Sequence, residues 1–162
     1  MTLVVAPIVE GHAEVECIPT LLSRVWQFLR ATEPIHFVVP TLGKRDKLIH
    51  PKFPDLANKI AEACKKLSQR LMQIKSPTLG MVLILLDAEK DCSKELGPRL
   101  LEAARKARSD TDIACVIAEK MFENWIVAGA STLAGINGLP DPLPPRDQFE
   151  ERSGVAWLEK QL

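Results

Sequence analysis

Apolar stretches of six residues recur along this chain, and a carboxylate follows each of them. They are rich in Val and Ile and lack the polar alternation of a half-exposed strand. Such stretches predict strands that are buried on both faces, as in a parallel sheet. The stretches are residues 4–9, 81–86 and 113–118, and the acids after them are Glu10, Asp87 and Glu119.

Between these strands, apolar residues recur at the spacing of amphipathic helices. The alternation of strand and helix signals predicts an α/β fold of the doubly wound type, with a mostly parallel sheet and helices on both faces. A short second strand over residues 35–39 and a loop over residues 41–53 complete the pattern. Helices are predicted over residues 13–31, 54–74, 93–108 and 121–130.

The length of the chain, 162 residues, suffices for one well-buried domain and is short for two. We expect residues 1–134 to form the α/β domain and residues 135–162 to form a Gly- and Pro-rich loop and a C-terminal helix. That helix would leave Trp157 and Leu158 in need of cover. This indicates that it packs on the same domain or on a partner, or that the chain is truncated.

The charge and hydropathy of the chain exclude few function classes. The formal net charge is zero, so any surface that binds nucleic acid has to be local. No apolar run approaches the roughly 20 residues that span a bilayer, and the N-terminus lacks the basic region of a signal peptide. We expect Cys17, Cys64 and Cys115, on the apolar faces of their elements, to be buried free thiols in a reducing cytoplasm.

The candidate chemistry begins with the acids after the third predicted strand, in the segment Asp87-Ala88-Glu89-Lys90-Asp91. In open parallel sheets, ligands bind beyond the carboxyl ends of the strands. Strand alternation would place Asp87 and Glu89 on one side, and one to three carboxylates suffice for Mg²⁺, which keeps several of its waters. The alternative is a solvated loop in which Asp91 or Ser93 caps the next helix.

Further acids follow the first and last predicted strands. We expect Gly11 to allow a tight turn that directs Glu10 into the crevice, although polar residues are also common at strand ends. Glu119 and Glu123, four residues apart, would share one helix face, or would simply complement the dipole of that helix. Trp125 is interpreted as a core anchor rather than as a platform for base stacking.

A basic segment follows the second strand. Lys44, Arg45 and Lys47 could hold phosphates at the same rim as the acids, or form an ordinary solvated loop. His12 lies beside the expected site and is interpreted as polar surface. The chain has no GxSxG, no P-loop, no GxGxxG and no Cys/His signature of a nucleophile.

The acid-Gly pair after the first strand and the Asp-x-acid-x-Asp after a central strand resemble the pattern of Toprim domains. Those domains are the metal-binding catalytic folds of topoisomerases, primases and OLD-type nucleases. The chain also resembles the bacterial family DUF4276, which is regarded as Toprim-like. This second resemblance is carried by residues 8–14, 85–92 and 118–125.

The resemblance implies a Rossmann-like fold in which Glu10 is the general acid or base. It also implies that Asp87, Glu89 and Asp91 hold Mg²⁺ or Mn²⁺. Glu89 departs from the usual Asp-x-Asp, which shifts one carboxylate by about one bond and puts the metal geometry for catalysis in question.

The function expected from this resemblance is Mg²⁺-dependent phosphodiester hydrolysis on nucleic acid. The alternative is a non-catalytic Toprim-like partner of an ATPase in a bacterial defence or repair system, with self-association as a further possibility. A third hypothesis, a small-molecule phosphohydrolase with Asp87 as nucleophile, is disfavoured because the acid after the first strand is Glu10 rather than an aspartate.

Overall fold

The computed structural model describes residues 1–129, 134–136 and 138–142. Strands and helices alternate as the sequence predicts, except in the middle of the chain, where two strands are followed by two helices. The strands are β1 (Thr2–Val9), β2 (Ile35–Phe37), β3 (Thr41–Leu42), β4 (Thr78–Asp87) and β5 (Asp112–Ala118). The helices are α1 (His12–Phe28), α2 (Arg45–Leu48), α3 (Pro54–Gln73), α4 (Ser93–Ala107) and α5 (Glu123–Ala128).

The five strands form one sheet in the order β2-β1-β4-β5, with β3 also paired to β1. β1 pairs in parallel with β2, β3 and β4, so that Val9 lies opposite Leu42 and Ile8 lies opposite Ile84. The prediction of an α/β fold with a mostly parallel sheet flanked by helices is confirmed.

β1 and β4 contribute most of the buried sheet, since every residue of β1 from Val4 to Val9 is buried, as is every residue from Val82 to Leu86. α3 packs against β1 through the apolar stripe that its sequence predicts. α3 also lies close to β4, since a Cβ added to Gly80 in β4 would lie 2.9 Å from Leu71 Cδ1. The buried residues of α3 are Leu56, Ile60, Ala63, Cys64 and Leu67.

The segment predicted as a loop over residues 41–53 instead contains β3 and the short helix α2. Gly43 donates its backbone N–H to Val9 O at 3.0 Å, which extends the pairing of β3 with β1. Leu48 of α2 is fully buried. Elements of two and four residues are too short to show a period, so the sequence pattern could not reveal them.

α1 differs from its prediction in burial rather than in type. Ile18 is its only buried residue, whereas Val25, Phe28 and Leu29 at its C-terminal end are exposed, Phe28 by 84%. The spacing of apolar residues identified the helix correctly, but spacing does not say whether a neighbouring element covers that face.

Two further expectations of burial are wrong. Cys17 lies on α1 and is exposed, whereas Cys64 is buried and Cys115 is partly buried. Trp125, expected to be a core anchor, is 39% exposed and packs against Phe122 with ring centroids 5.4 Å apart.

The chain divides into two compact units. Unit 1 comprises residues 1–86 and 94–116, and unit 2 comprises residues 87–93 together with the described residues from 117 onward. The helix expected over residues 154–162 lies outside the described part of the chain. Among the described residues, no helix is long and apolar enough to cross a membrane.

Candidate phosphate-binding site

Unit 1 contains a pocket of about 470 Å³ where β1 and β3 end. Two of the basic residues predicted to bind phosphate, Lys44 and Lys47, line it together with Glu10. We call this site the lysine pocket. Its lining residues are Glu10, His12, Leu42, Gly43, Lys44, Lys47, Leu48, Asp55, Asn58 and Lys59.

The parallel pairing of β3 with β1 explains why these residues meet. Val9 lies opposite Leu42, so Glu10 and the start of α2 leave the same edge of the sheet. Lys44 is the N-cap residue of α2, and Lys47 lies within that helix. α3 packs against α2, β1 and β3, which places the first turns of α3 beside the same edge.

Lys59 of α3 joins the pocket, although the sequence analysis did not single it out. Its Nζ atom lies 3.1 Å from Glu62 Oε2. The other oxygen of Glu62 lies 3.0 Å from Lys66 Nζ, and Lys66 in turn donates to Thr41 Oγ1 at 2.9 Å. Hydrogen bonds from Lys66 and Lys59 lower the pKa of Glu62, because they favour the ionised carboxylate. A chain of polar contacts therefore links Lys59 to the buried start of β3.

The sequence signal that could have identified Lys59 is the polar face of α3. Asp55, Asn58, Lys59 and Glu62 are spaced three and four residues apart, opposite the apolar stripe. Their helix face was predictable from this spacing. Its position beside Glu10 was not, since it depends on how α3 packs.

Glu10 follows the last residue of β1 and is half-buried, with its Oε2 atom buried. Gly11, the N-cap of α1, has φ −117° and ψ 169°, an extended conformation that any residue adopts. The turn after β1 therefore does not depend on the conformational freedom of glycine. His12 begins α1, is exposed, and lies at the lysine pocket, as polar surface beside the expected site.

Arg45 differs from its two basic neighbours. Lys44 and Lys47 are exposed, whereas only 7% of the Arg45 side chain is exposed, and its Nη1 atom lies 3.6 Å from Asp46 Oδ1. The structure thus divides the predicted basic segment into two lysines open to a ligand and one buried arginine.

In unit 2, the predicted acid cluster forms a turn that is fixed to the end of β5 by its backbone. Ala88 donates its N–H to Ala118 O at 2.9 Å, and Glu89 donates to Lys120 O at 2.8 Å. The strand ends at Asp87, so strand alternation does not extend to Glu89. Glu89 and Lys120 both adopt the left-handed conformation, with φ of 49° and 62°. The turn geometry therefore decides where each carboxylate lies.

Glu119 lies between β5 and α5, and α5 begins only at Glu123. The expectation that these two acids share one helix face is wrong, because Glu119 precedes the helix. The Glu119 carboxylate accepts a hydrogen bond from Ser93 Oγ at 2.5 Å, and its backbone oxygen accepts one from Asn124 Nδ2 at 3.1 Å. These contacts hold the segment between β5 and α5 against the start of α4.

The carboxylates of unit 2 suit Mg²⁺ by their chemistry. Asp87 is half-buried, and Glu89 and Asp91 are exposed. Over the described residues, no group of three or more His, Cys, Asp or Glu side chains is close enough to hold a metal ion. Mg²⁺ in phosphate-processing sites is usually held by one or two carboxylates, the rest of its shell being water and substrate phosphate. The donor types therefore fit this ion without a preformed cage of three side chains.

Comparison with known proteins adds no relative. Neither a scan against models of protein families, nor a search of curated proteins, nor a search of solved structures found a match. The functional interpretation therefore rests on the residues and the geometry described above.

Proposed function

We propose that this chain is a Toprim-like domain of the DUF4276 type that hydrolyses phosphodiester bonds in nucleic acid with the help of Mg²⁺ or Mn²⁺. One observation carries the proposal: the lysine pocket places Lys44, Lys47 and Lys59 around Glu10 at the carboxyl end of β1. This is the position in an open α/β sheet at which ligands bind. Lysines arranged around a carboxylate suit a phosphate ester, which needs charge neutralisation and proton transfer.

In this proposal, each group has one role. The three lysines bind and orient the phosphate. Glu10 holds or moves the proton of the attacking water or of the leaving oxygen. One or two of the carboxylates Asp87, Glu89 and Asp91 would hold the metal, and water would complete its coordination shell. A metal held there would supply Lewis-acid polarisation and would lower the pKa of a bound water.

Asp87→Asn tests the proposed function most directly. Wild-type protein should cleave single- or double-stranded DNA or RNA in Mg²⁺ or Mn²⁺ and not in EDTA, and Asp87→Asn should reduce cleavage to background. Calorimetric titration of Mg²⁺ and Mn²⁺ should show saturable binding that the variant lacks.

Asp112→Asn is a matched control, because this exposed aspartate begins β5 and lies at the opposite end of that strand from the carboxyl-end loops. It should keep wild-type cleavage. Cleavage that persists in Asp87→Asn would exclude the assigned role of Asp87, and no cleavage of any substrate by the wild type would exclude the nuclease.

The alternative is a non-catalytic Toprim-like partner of an ATPase. It is favoured by the apolar end of α1, where Val25, Phe28 and Leu29 lie on one helix face and are exposed. Purified ATPase from the same operon should then bind wild-type protein and not Phe28→Glu. Sedimentation of the protein alone distinguishes this interaction from self-association, which would appear as a dimer that Phe28→Glu dissociates.

A further inference from the structure

We propose that the lysine pocket is an end-binding site, which recognises the terminal phosphate monoester of a nucleic-acid strand rather than an internal phosphodiester. This inference deepens the proposed function and rests on it, since it takes nucleic acid as the substrate. It specifies which part of the nucleic-acid strand binds in the lysine pocket of unit 1.

The number of lysines supports a terminal phosphate. Lys44, Lys47 and Lys59 reach the pocket from two helices, against the carboxylates Glu10 and Asp55. A phosphate monoester carries a charge of about −1.5 to −2 at neutral pH and offers three acceptor oxygens. An internal diester carries a single negative charge and is shielded by nucleotides on both sides. Three lysines that line one pocket can offer a donor to each of the three acceptor oxygens of a monoester, whereas an internal diester has only two free oxygens.

The shape and the walls of the pocket also favour the end of a nucleic-acid strand over a continuous strand. Its volume of about 470 Å³ lies within the range of small-molecule sites. A continuous strand is instead tracked by an extended positively charged groove. Leu42, which is partly exposed, provides an apolar wall beside the lysines, which suits the sugar or base of one terminal nucleotide.

Lys59 has a partner, Glu62, that a ligand can replace. Glu62 is shared between Lys59 and Lys66, and Lys66 is anchored to Thr41 Oγ1. The Glu62 side chain is 44% exposed, so its ion pair with Lys59 is weak. A terminal phosphate can therefore replace Glu62 as the partner of Lys59, while Lys66 continues to neutralise Glu62.

The experiment is equilibrium binding by fluorescence anisotropy in EDTA, where no metal-dependent cleavage occurs. The probes are single-stranded DNA and RNA oligonucleotides of one sequence with a 5′-phosphate, a 3′-phosphate, or hydroxyl groups at both ends. Wild-type protein should bind one of the phosphate-ended probes at least about 10-fold more tightly than the hydroxyl-ended probe. The preferred probe identifies the 5′ or the 3′ end, and a mononucleotide with the same terminal phosphate should compete.

Lys47→Ala and Lys59→Ala should each remove most of this preference. Lys75→Ala is the matched control: Lys75 is exposed and follows the far end of α3 at Gln73, which lies about 21 Å along the helix from Lys59. It should leave the preference intact. Equal binding of all three probes by the wild type, or an equal loss of preference in Lys75→Ala, would overturn the proposal.

The outcome separates this inference from the nuclease itself. Phosphate-end preference without cleavage in Mg²⁺ would reject the nuclease and keep the end-binding site. Cleavage that depends on Asp87, without any preference for a phosphate end, would keep the nuclease and reject the end-binding site.

Discussion

Gly43 occupies a position at the edge of the lysine pocket where a side chain has no room. A Cβ added there would lie 2.8 Å from Leu48 Cδ1 and 3.1 Å from Leu48 Cγ. Leu48 is fully buried and cannot swing away into solvent. The glycine therefore lets α2 pack closely enough to present Lys44 and Lys47 beside Glu10.

Gly43→Ala should lower the free energy of unfolding by about 1–3 kcal/mol, because it overpacks a closed contact. Urea denaturation measures this loss. Gly11→Ser is the comparison: its Cβ would meet only the mobile carboxylate end of Glu14, at 2.6 Å, and serine is a favourable N-cap. Its stability should equal or exceed that of the wild type. Equal stability of the two variants would contradict the packing described for Gly43.

The cysteines give a second test at the residue scale. Cys17 and Cys92 are exposed and Cys64 is buried, while burial raises the pKa of Cys115 from 9.0 to about 11. Only the thiolate reacts. Labelling with iodoacetamide at pH 8, read by mass spectrometry, should therefore modify Cys17 and Cys92 first. Labelling of Cys115 as fast as that of Cys17 would contradict the structure.

The same raised pKa has a consequence for stability. Since the unfolded thiol ionises near 9.0 and the folded one near 11, the contribution of Cys115 is fully present below pH 9 and is lost as the pH rises towards 11. The Cys115→Ala variant lacks this contribution, so its free energy of unfolding should fall less than that of the wild type between these two pH values.

At the scale of elements, the loops after β4 and β5 are joined to each other by backbone hydrogen bonds. Glu89 and Lys120 both take the left-handed conformation, and the Glu89 N–H bonds to the Lys120 carbonyl. This conformation is unfavourable for residues that carry a Cβ. The loops are thus kept in shape by their mutual hydrogen bonds rather than by local preference.

Lys120→Gly should be more stable than Lys120→Ala by about 1 kcal/mol, because only glycine adopts this conformation without a steric cost. Lys120 is exposed, so both variants lose the same few side-chain contacts. Thermal and urea unfolding of the pair measure the difference. An alanine variant as stable as the glycine variant would show that the backbone there is not left-handed.

Two helices show what periodicity can and cannot predict. The stripe of α3 was predicted from its spacing and is buried from Leu56 to Leu67. The stripe of α1 has the same spacing, yet Val25 and Leu29 are exposed. Spacing reveals that one face is apolar, whereas the neighbours that cover the face depend on contacts distant in sequence.

At the scale of the whole molecule, the balance of charges limits what electrostatics can do. Acidic and basic residues are equal in number, 21 of each, so no long-range field draws nucleic acid to the surface. Attraction has to come from local groups such as the three lysines of the pocket. Binding should therefore be moderately sensitive to salt.

Neutralisation of one terminal phosphate, which carries a charge of up to about −2, predicts a slope of about −1.4 for log K against log salt concentration. Lys59→Ala should make this slope shallower, because fewer counterions are released when one ammonium group is lost. Anisotropy titrations between low and moderate salt measure it with the preferred oligonucleotide. A slope that is unchanged in Lys59→Ala would mean that this lysine does not contact phosphate.

The sequence by itself determined the three long strands, the main helices and the α/β class, because these follow from local patterns in runs of six or more residues. It also determined that acids follow three of the strands. Only the tertiary structure decided that α2 and α3 bring Lys47 and Lys59 beside Glu10, that Arg45 is buried, and that Glu89 lies in a left-handed turn. These features depend on packing between segments far apart in the chain, which no local pattern encodes.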